Sequence, residues 1–198
     1  VAESSTASWI RPATLLLTLL AQSAAAATIT VDVASHTDSI EVQASALLDA
    51  DADSAWRVLT DYERYVDFIP GLHESRILAR KGATVTVEQS GDAVVWLLHV
   101  PLDVTFEITE IAPTRLDSRV VAGDLHALDS HYVLAREGNR VRLEYVGKLA
   151  SGFVLFGPLE GLAVKENIAR RFQALADEIE RRFVADRARS GLGRLDGE

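Results

Sequence analysis

The stretch DADSAWRVLTDYERYVDFIPGLHESRIL, Asp51 to Leu78, decides the fold. Asp51 is a good helix N-cap, Asp53 and Ser54 suit a first turn, and Ala55, Trp56 and Leu59 make an apolar face. The pattern predicts a short helix. A second short helix continues it after a bend near Asp61 and carries Tyr62, Tyr65, Phe68 and Ile69 at helical spacing. Pro70-Gly71 forbids further helix. Beyond Leu72 the hydrophobic period is mostly two, so chain that was coiling now extends.

Upstream, SIEVQASALLDA (Ser39 to Ala50) alternates Ile40, Val42, Ala44 and Ala46 with polar partners and reads as a strand. Downstream, Leu72 to Ser151 reads as an antiparallel meander of about six strands. HESRILARKG and ATVTVEQSGD each end in a glycine turn. AVVWLLHVPLDVTFEITEIAP is one long strand or two, with Pro101 at an edge or bulge. RLDSRVVAGD, ALDSHYVLAREGN and RVRLEYVGKLAS complete the meander, with a hairpin turn at Glu137-Gly138-Asn139. From Leu159 to about Arg187, Ile168, Phe172, Leu175, Ile179 and Phe183 recur at three and four, the signature of one long amphipathic helix. Arg170, Arg171, Asp177, Glu178, Arg181 and Arg182 are assigned to its solvated face. The order predicts an α+β domain: a curved antiparallel sheet of about seven strands around a long C-terminal helix. One helix covers only part of so many strands, so such a sheet leaves space at its ends.

The N-terminal segment reads differently. Ala13 to Ala21 is a short apolar run, Arg11 precedes it, and small residues fill Ala21 to Ala27. The run is too short to span a bilayer as a helix. The layout is that of a secretory signal peptide over residues 1–27; a buried or interfacial helix is the alternative. Residues 28–38 are read as a linker, 39–187 as the domain and 188–198 as a disordered tail.

Composition narrows function. The 29 acidic against 20 basic residues give a net charge of −9, which disfavours nucleic acid as a partner. Without cysteine there are no disulfides and no thiol nucleophile. The five histidines are scattered and form no HxxxH or HExxH pair, so neither a metal nor another cofactor is expected.

Asp51 to Leu78, with its helix containing Trp56, its Asp61-Tyr62 pair and its Phe68-Ile69-Pro70 ending, resembles the START-like, or helix-grip (SRPBCC), superfamily. The branch it resembles is that of polyketide cyclase/dehydrase and coenzyme Q-binding proteins. GDLHALDSHYVL is similar to that branch's glycine-led strand pair, with Gly123, Leu125, Leu128, Tyr132 and Leu134 in the expected places. The resemblance covers about Ser39 to Arg187. It implies a deep apolar cavity between sheet and long helix, and members bind lipids, quinones or polyketides, only some being enzymes. Fold-level analogy does not fix one chemistry.

Candidate ligand-binding residues follow. Tyr62, Tyr65 and Phe68 either close one end of the cavity as a lid or belong to the core; Tyr suits a surface with one apolar and one wet side. Trp96, Leu98, Phe106, Tyr132 and Tyr145 line the cavity or fill a solid core, and small residues among the inward positions, Ser118, Ser130 and Gly147, leave room. Phe172 faces the sheet. Asn167, beside the helix's apolar face, either binds a ligand's head group or is solvated. His131 falls on the face opposite Tyr132, and neither it nor His99 has a neighbour in sequence to orient it as a base. No catalytic residue is assigned. The expected function is binding or carrying of an apolar small molecule by an exported, periplasmic monomer, with room for transient membrane contact. A cyclase or dehydratase acting on a polyketide-like substrate is the first alternative. A protein-interaction module that uses the sheet surface, which a filled interior would favour, is the second.

Overall fold

The structure is a computed structural model that describes residues 27–95, 98–150 and 160–192. Its order is β1 (Ile29–Ser35), β2 (Ser39–Leu48), α1 (Ala52–Leu59), a 3-10 helix (Tyr62–Asp67), β3 (Leu72–Lys81), β4 (Thr84–Val95), β5 (Leu98–Ile111), β6 (Arg115–Gly123), β7 (Leu128–Glu137), β8 (Arg140–Ala150) and α2 (Glu160–Leu192). The eight strands form one antiparallel sheet in the order β1-β2-β8-β7-β6-β5-β4-β3. Register shifts in β3, at Leu72/Glu74 and Ile77/Ala79, and between β5 and β6 at Thr105/Phe106 add local twist and curve the sheet.

The helices after β2 form for the reasons legible in the chain. Asp51 Oδ1 accepts the Ser54 amide at 2.7 Å, and Thr60 Oγ1 donates to the Trp56 carbonyl at 2.9 Å where the helix ends. Ser54, Ala55, Val58 and Leu59 are buried, and Trp56 packs at the margin of the core. Gly71, at φ +75°, then turns the chain into β3. Its carbonyl accepts the Asp92 amide at 2.6 Å, and a Cβ on Gly91 would collide with that same carbonyl oxygen. Gly91-Asp92 is therefore the interior of β4, made small because another backbone crosses it, and not the turn expected from the dipeptide. Strand β4 continues past it and pairs with β5 as far as Val95 opposite Leu98.

Two boundaries are corrected. Residues 29–35, within the expected linker, are strand β1, paired along its length with β2. Val31 is buried, Ile29 and Val33 pack on the core, and period-two burial holds the segment in the sheet. At the other end α2 continues to Leu192, so residues 188–192, expected in a disordered tail, are helical. Residues 1–26, with the expected signal peptide, lie outside the described residues, as do 193–198.

Helix α2 lies in the concave face of the sheet, packed along β1 and β2, against α1, and touching β4. Phe172, Leu175, Ala176 and Ile179 are buried there with Ile40, Leu48, Val85, Val87 and Leu143. The expected solvated face of α2 is not uniformly solvated. Glu178 is only 7% exposed and accepts Arg181 and Arg182, both at 2.6 Å, while Arg182 also donates to Asp61 at 2.6 Å. These ion pairs join α2 to the bend before the 3-10 helix. Arg171 leaves the solvated face altogether, as described next.

Candidate ligand-binding site

The interior between α2 and the sheet is not filled. Two adjoining chambers, of about 190 and about 170 Å³, follow the strand direction under the helix. Together they reach the lower end of the range of small-molecule pockets, roughly 300–1,000 Å³. The larger is aliphatic, walled by Leu102, Val104, Leu125, Leu128, Leu149 and Val164. The smaller is aromatic, walled by Tyr62, Tyr65, Ile69, Leu116, Tyr132 and Phe172. Leu72, Gln89, Phe106, Leu128, Tyr145, Ile168 and Arg171 border both.

The aromatic chamber is closed by groups that are themselves tied down. Tyr62 is 2% exposed and its hydroxyl donates to Glu110 Oε1 at 3.1 Å. Tyr65 donates to the Leu59 carbonyl at 2.8 Å, and its ring meets Tyr62 and Phe68 edge-on at 6.0 and 5.5 Å. Phe68 is not part of the wall; it packs behind Tyr65 with the Arg182 guanidinium 5.8 Å above its ring. On the sheet, Tyr132 and Tyr145 tilt together at 4.8 Å, and the Ser118 and Ser130 hydroxyls share a hydrogen bond of 2.7 Å. Burial pushes the phenols of Tyr62, Tyr65, Tyr132 and Tyr145 above the ordinary tyrosine range, so each stays protonated.

Asn167 lines the aliphatic chamber, but its amide is committed elsewhere. Strand β3 pairs with β4 only as far as Leu72 opposite Gly91, which leaves the far edge of β4 without a strand. Asn167 takes its place: Oδ1 accepts the Val94 amide at 2.9 Å, and Nδ2 donates to the Val94 carbonyl at 2.6 Å and to Ala163 at 2.8 Å. The side chain substitutes for a peptide group, so the expectation of a head-group ligand gives way to a clamp between α2 and β4. Leu98 is also relocated. It is 68% exposed, because it starts β5 opposite Val95, beyond the cavity rung at Gly91 and Leu102. Trp96 lies outside the described residues. Phe106, Tyr132, Tyr145 and Phe172 all border the chambers. His99 is exposed beside Asp92, and Glu166 is solvated.

Arg171 is the residue that sequence reasoning missed. It borders both chambers, and among the described residues its one hydrogen bond, to the Asp92 carbonyl, is 3.4 Å long. Among the described residues no carboxylate lies within ion-pair distance of it. Burial pulls its guanidinium below the ordinary arginine value, and Arg170 adds to that. The signal for its position was present: Arg171 stands three residues after Ile168 and four before Leu175, on the apolar stripe itself.

A curved, unclosed antiparallel sheet gripping one long helix over an apolar cavity defines the START-like, helix-grip class. Residues 48–176 match the family described as polyketide cyclase/dehydrase and lipid transport, and the chain belongs to that family. The fold is similar to that of a STAR-related lipid transfer protein from Xanthomonas axonopodis, with 17% identity, a TM-score of 0.66, and coverage of 76% of this chain and 93% of that one. It is also similar to the Zhui aromatase/cyclase from Streptomyces sp. R1128, with 18% identity, a TM-score of 0.62, and coverage of 73% and 95%. A protein from Thermus thermophilus aligns at 19% identity with a TM-score of 0.62, covering 74% and 98%. No curated protein sequence matches the chain. Family and fold together support a hydrophobic ligand-binding domain.

Proposed function

We propose that the protein binds and carries a largely apolar small molecule, a lipid, quinone or polyketide-like compound, in the two-chambered cavity. The observation that carries this reading is a pair of adjoining, mainly apolar chambers, one walled by leucines and the other by aromatic rings. Affinity would come mainly from burying the ligand's apolar surface, at roughly 25 cal/mol per Å² before the costs of association. Among the described residues the lining offers hydrogen-bond donors but no carboxylate, imidazole or amine to abstract a proton, which favours carriage over catalysis. Native mass spectrometry of protein purified from its own cell tests the reading. One apolar adduct per chain is expected; a protein empty under non-denaturing extraction overturns it.

The cyclase reading draws on one observation, the convergence of Arg171, Tyr132 and Tyr145 on the same space, since such donors can hold an enolate oxygen. Turnover of a poly-β-ketone by the purified protein would establish it.

The reading includes export to the periplasm as a monomer. The leader-like layout of residues 13–27 supports export, with maturation near Ala27 or Thr28, immediately before β1. N-terminal sequencing from the native cell tests this, and a retained Val1 in the cytosol would refute it. Transient membrane contact is supported by Leu98 and Leu162, 68% and 65% exposed at the end of the molecule where Asn167 clamps α2 to β4.

A further inference from the structure

We infer that the ligand carries an anionic oxygen head group, a carboxylate or a stabilised enolate, and that Arg171 holds it at the junction of the two chambers. The inference rests on the cavity being a binding site and adds the charge and placement of what it binds.

Guanidinium is charged at any physiological pH and has five N–H donors in a planar fork. Arg171 spends one of them, on a carbonyl at 3.4 Å, which is long for a hydrogen bond. The other arginines of α2 in this part of the fold are treated differently: Arg181 and Arg182 meet Glu178, Arg182 also meets Asp61, and Arg170 meets Asn167. Arg171, unlike Arg181 and Arg182, meets no acidic residue among those described and, unlike Arg170, faces the leucines, phenylalanines and tyrosines of both chambers. A half-buried, unpaired charge in an apolar wall is costly. An oxyanion bound there would offset that cost through a bidentate pair, the geometry to which the fork is matched.

The surroundings fit such a head group. Tyr132 and Tyr145 border the same space as protonated donors, and Ser118 and Ser130 stand on the adjoining wall. Among the described residues the lining holds no acidic side chain to repel an anion. The aliphatic chamber then receives the apolar body, with the head toward the tyrosines.

Two pairs of probes test this on the full-length protein freed of co-purified lipid: oleate against methyl oleate, and 3-hydroxy-2-naphthoate against its methyl ester. Each displaces the neutral reporter N-phenyl-1-naphthylamine from wild type, Arg171→Met and Arg171→Lys. In wild type the acid of at least one pair should bind tenfold or more tightly than its ester. Arg171→Met should bring acid and ester within about twofold, mainly by weakening the acid, and Arg171→Lys should retain part of the preference. Preference within the oleate pair alone points to an acyl chain, and within the naphthoate pair alone to an aromatic acid. Equal binding of acid and ester by wild type, or a preference that survives in Arg171→Met, overturns the inference and leaves the cavity reading intact. No displacement by any probe, with no binding of the reporter, overturns both. Melting curves guard the result: Arg171→Met should melt at or above the wild-type temperature, whereas a marked fall would assign the side chain a structural role and overturn the inference.

Discussion

The two ends of the cavity are built from opposite materials. At the aromatic end the rings that follow α1 are tethered: Tyr62 to Glu110, Tyr65 to Leu59, and, behind them, Phe68 beneath an Arg182 that also grips Asp61 and Glu178. At the other end the wall is aliphatic, and the described side-chain hydrogen bonds there converge on one asparagine, a clamp from α2 to an unpaired stretch of β4. Directional bonds fix a wall in one conformation, while leucines packed on leucines yield to a guest at little cost. The rings of Asp51–Leu78 invite the name of lid, yet their tethers make them an end wall. Ligand entry is therefore expected through the leucines.

The comparison can be broken in several ways. The largest effect is expected at Phe172, 2% exposed at the aromatic end, where truncation to Ala should cost roughly 3–5 kcal/mol in denaturant melts. A loss below about 0.5 kcal/mol would mean that this end is not packed as described. Next, Tyr65→Ala should cost about 2–4 kcal/mol, because it removes ring packing together with the bond to Leu59, and should leave ligand release nearly unchanged. Amides 61–69 should exchange as slowly as those of the central strands in ligand-free protein. Fast exchange there, with accelerated release in the mutant, would restore the lid. Asn167→Ala should cost about 1–3 kcal/mol and speed both uptake and release, since it strands the Val94 peptide and loosens the aliphatic end. Unaltered kinetics would place the entrance elsewhere.

The smallest effect concerns acid. Arg181, and then Arg182, hold the Glu178 carboxyl below its ordinary range against the opposing effect of burial. A carboxylate depressed in the folded state contributes stability that is full above its unfolded value, about 4.3, and is lost as pH falls through the lower folded one. Urea midpoints should drop over that window, and Glu178→Gln should flatten the drop. An equal drop in the mutant would shift the acid sensitivity to another group.

What was legible in the chain, and what was not, divides along physical lines. The helices after Asp51, the meander and the buried stripe of α2 follow from local rules, a cap, a period or a breaker, and these operate within a few residues. Strand β1 had the same alternation in Ile29, Val31 and Val33; its neighbourhood to a leader-like segment hid it. Gly91 read as a turn because the reason for its size, the crossing backbone of Gly71, is distant in sequence. Asn167 and Arg171 failed for a related reason. A polar residue at the edge of an apolar stripe is ambiguous until the opposing surface is known, and here one met the bare edge of β4 while the other met empty space.

Gly147 adds a consequence of a different order. A Cβ there would lie 2.5 Å from the Tyr145 hydroxyl and 2.9 Å from its ring carbon Cζ, so the tyrosine lies folded along its own strand across the vacancy of a side chain. One absent methyl thus gauges the depth of the interior. Gly147→Ala would lift the ring away from the sheet and shorten the space beneath α2, and acyl probes of graded length would report the cut as a lower maximum chain length. A single codon in β8 would then set cargo length through the position of one ring, that of Tyr145.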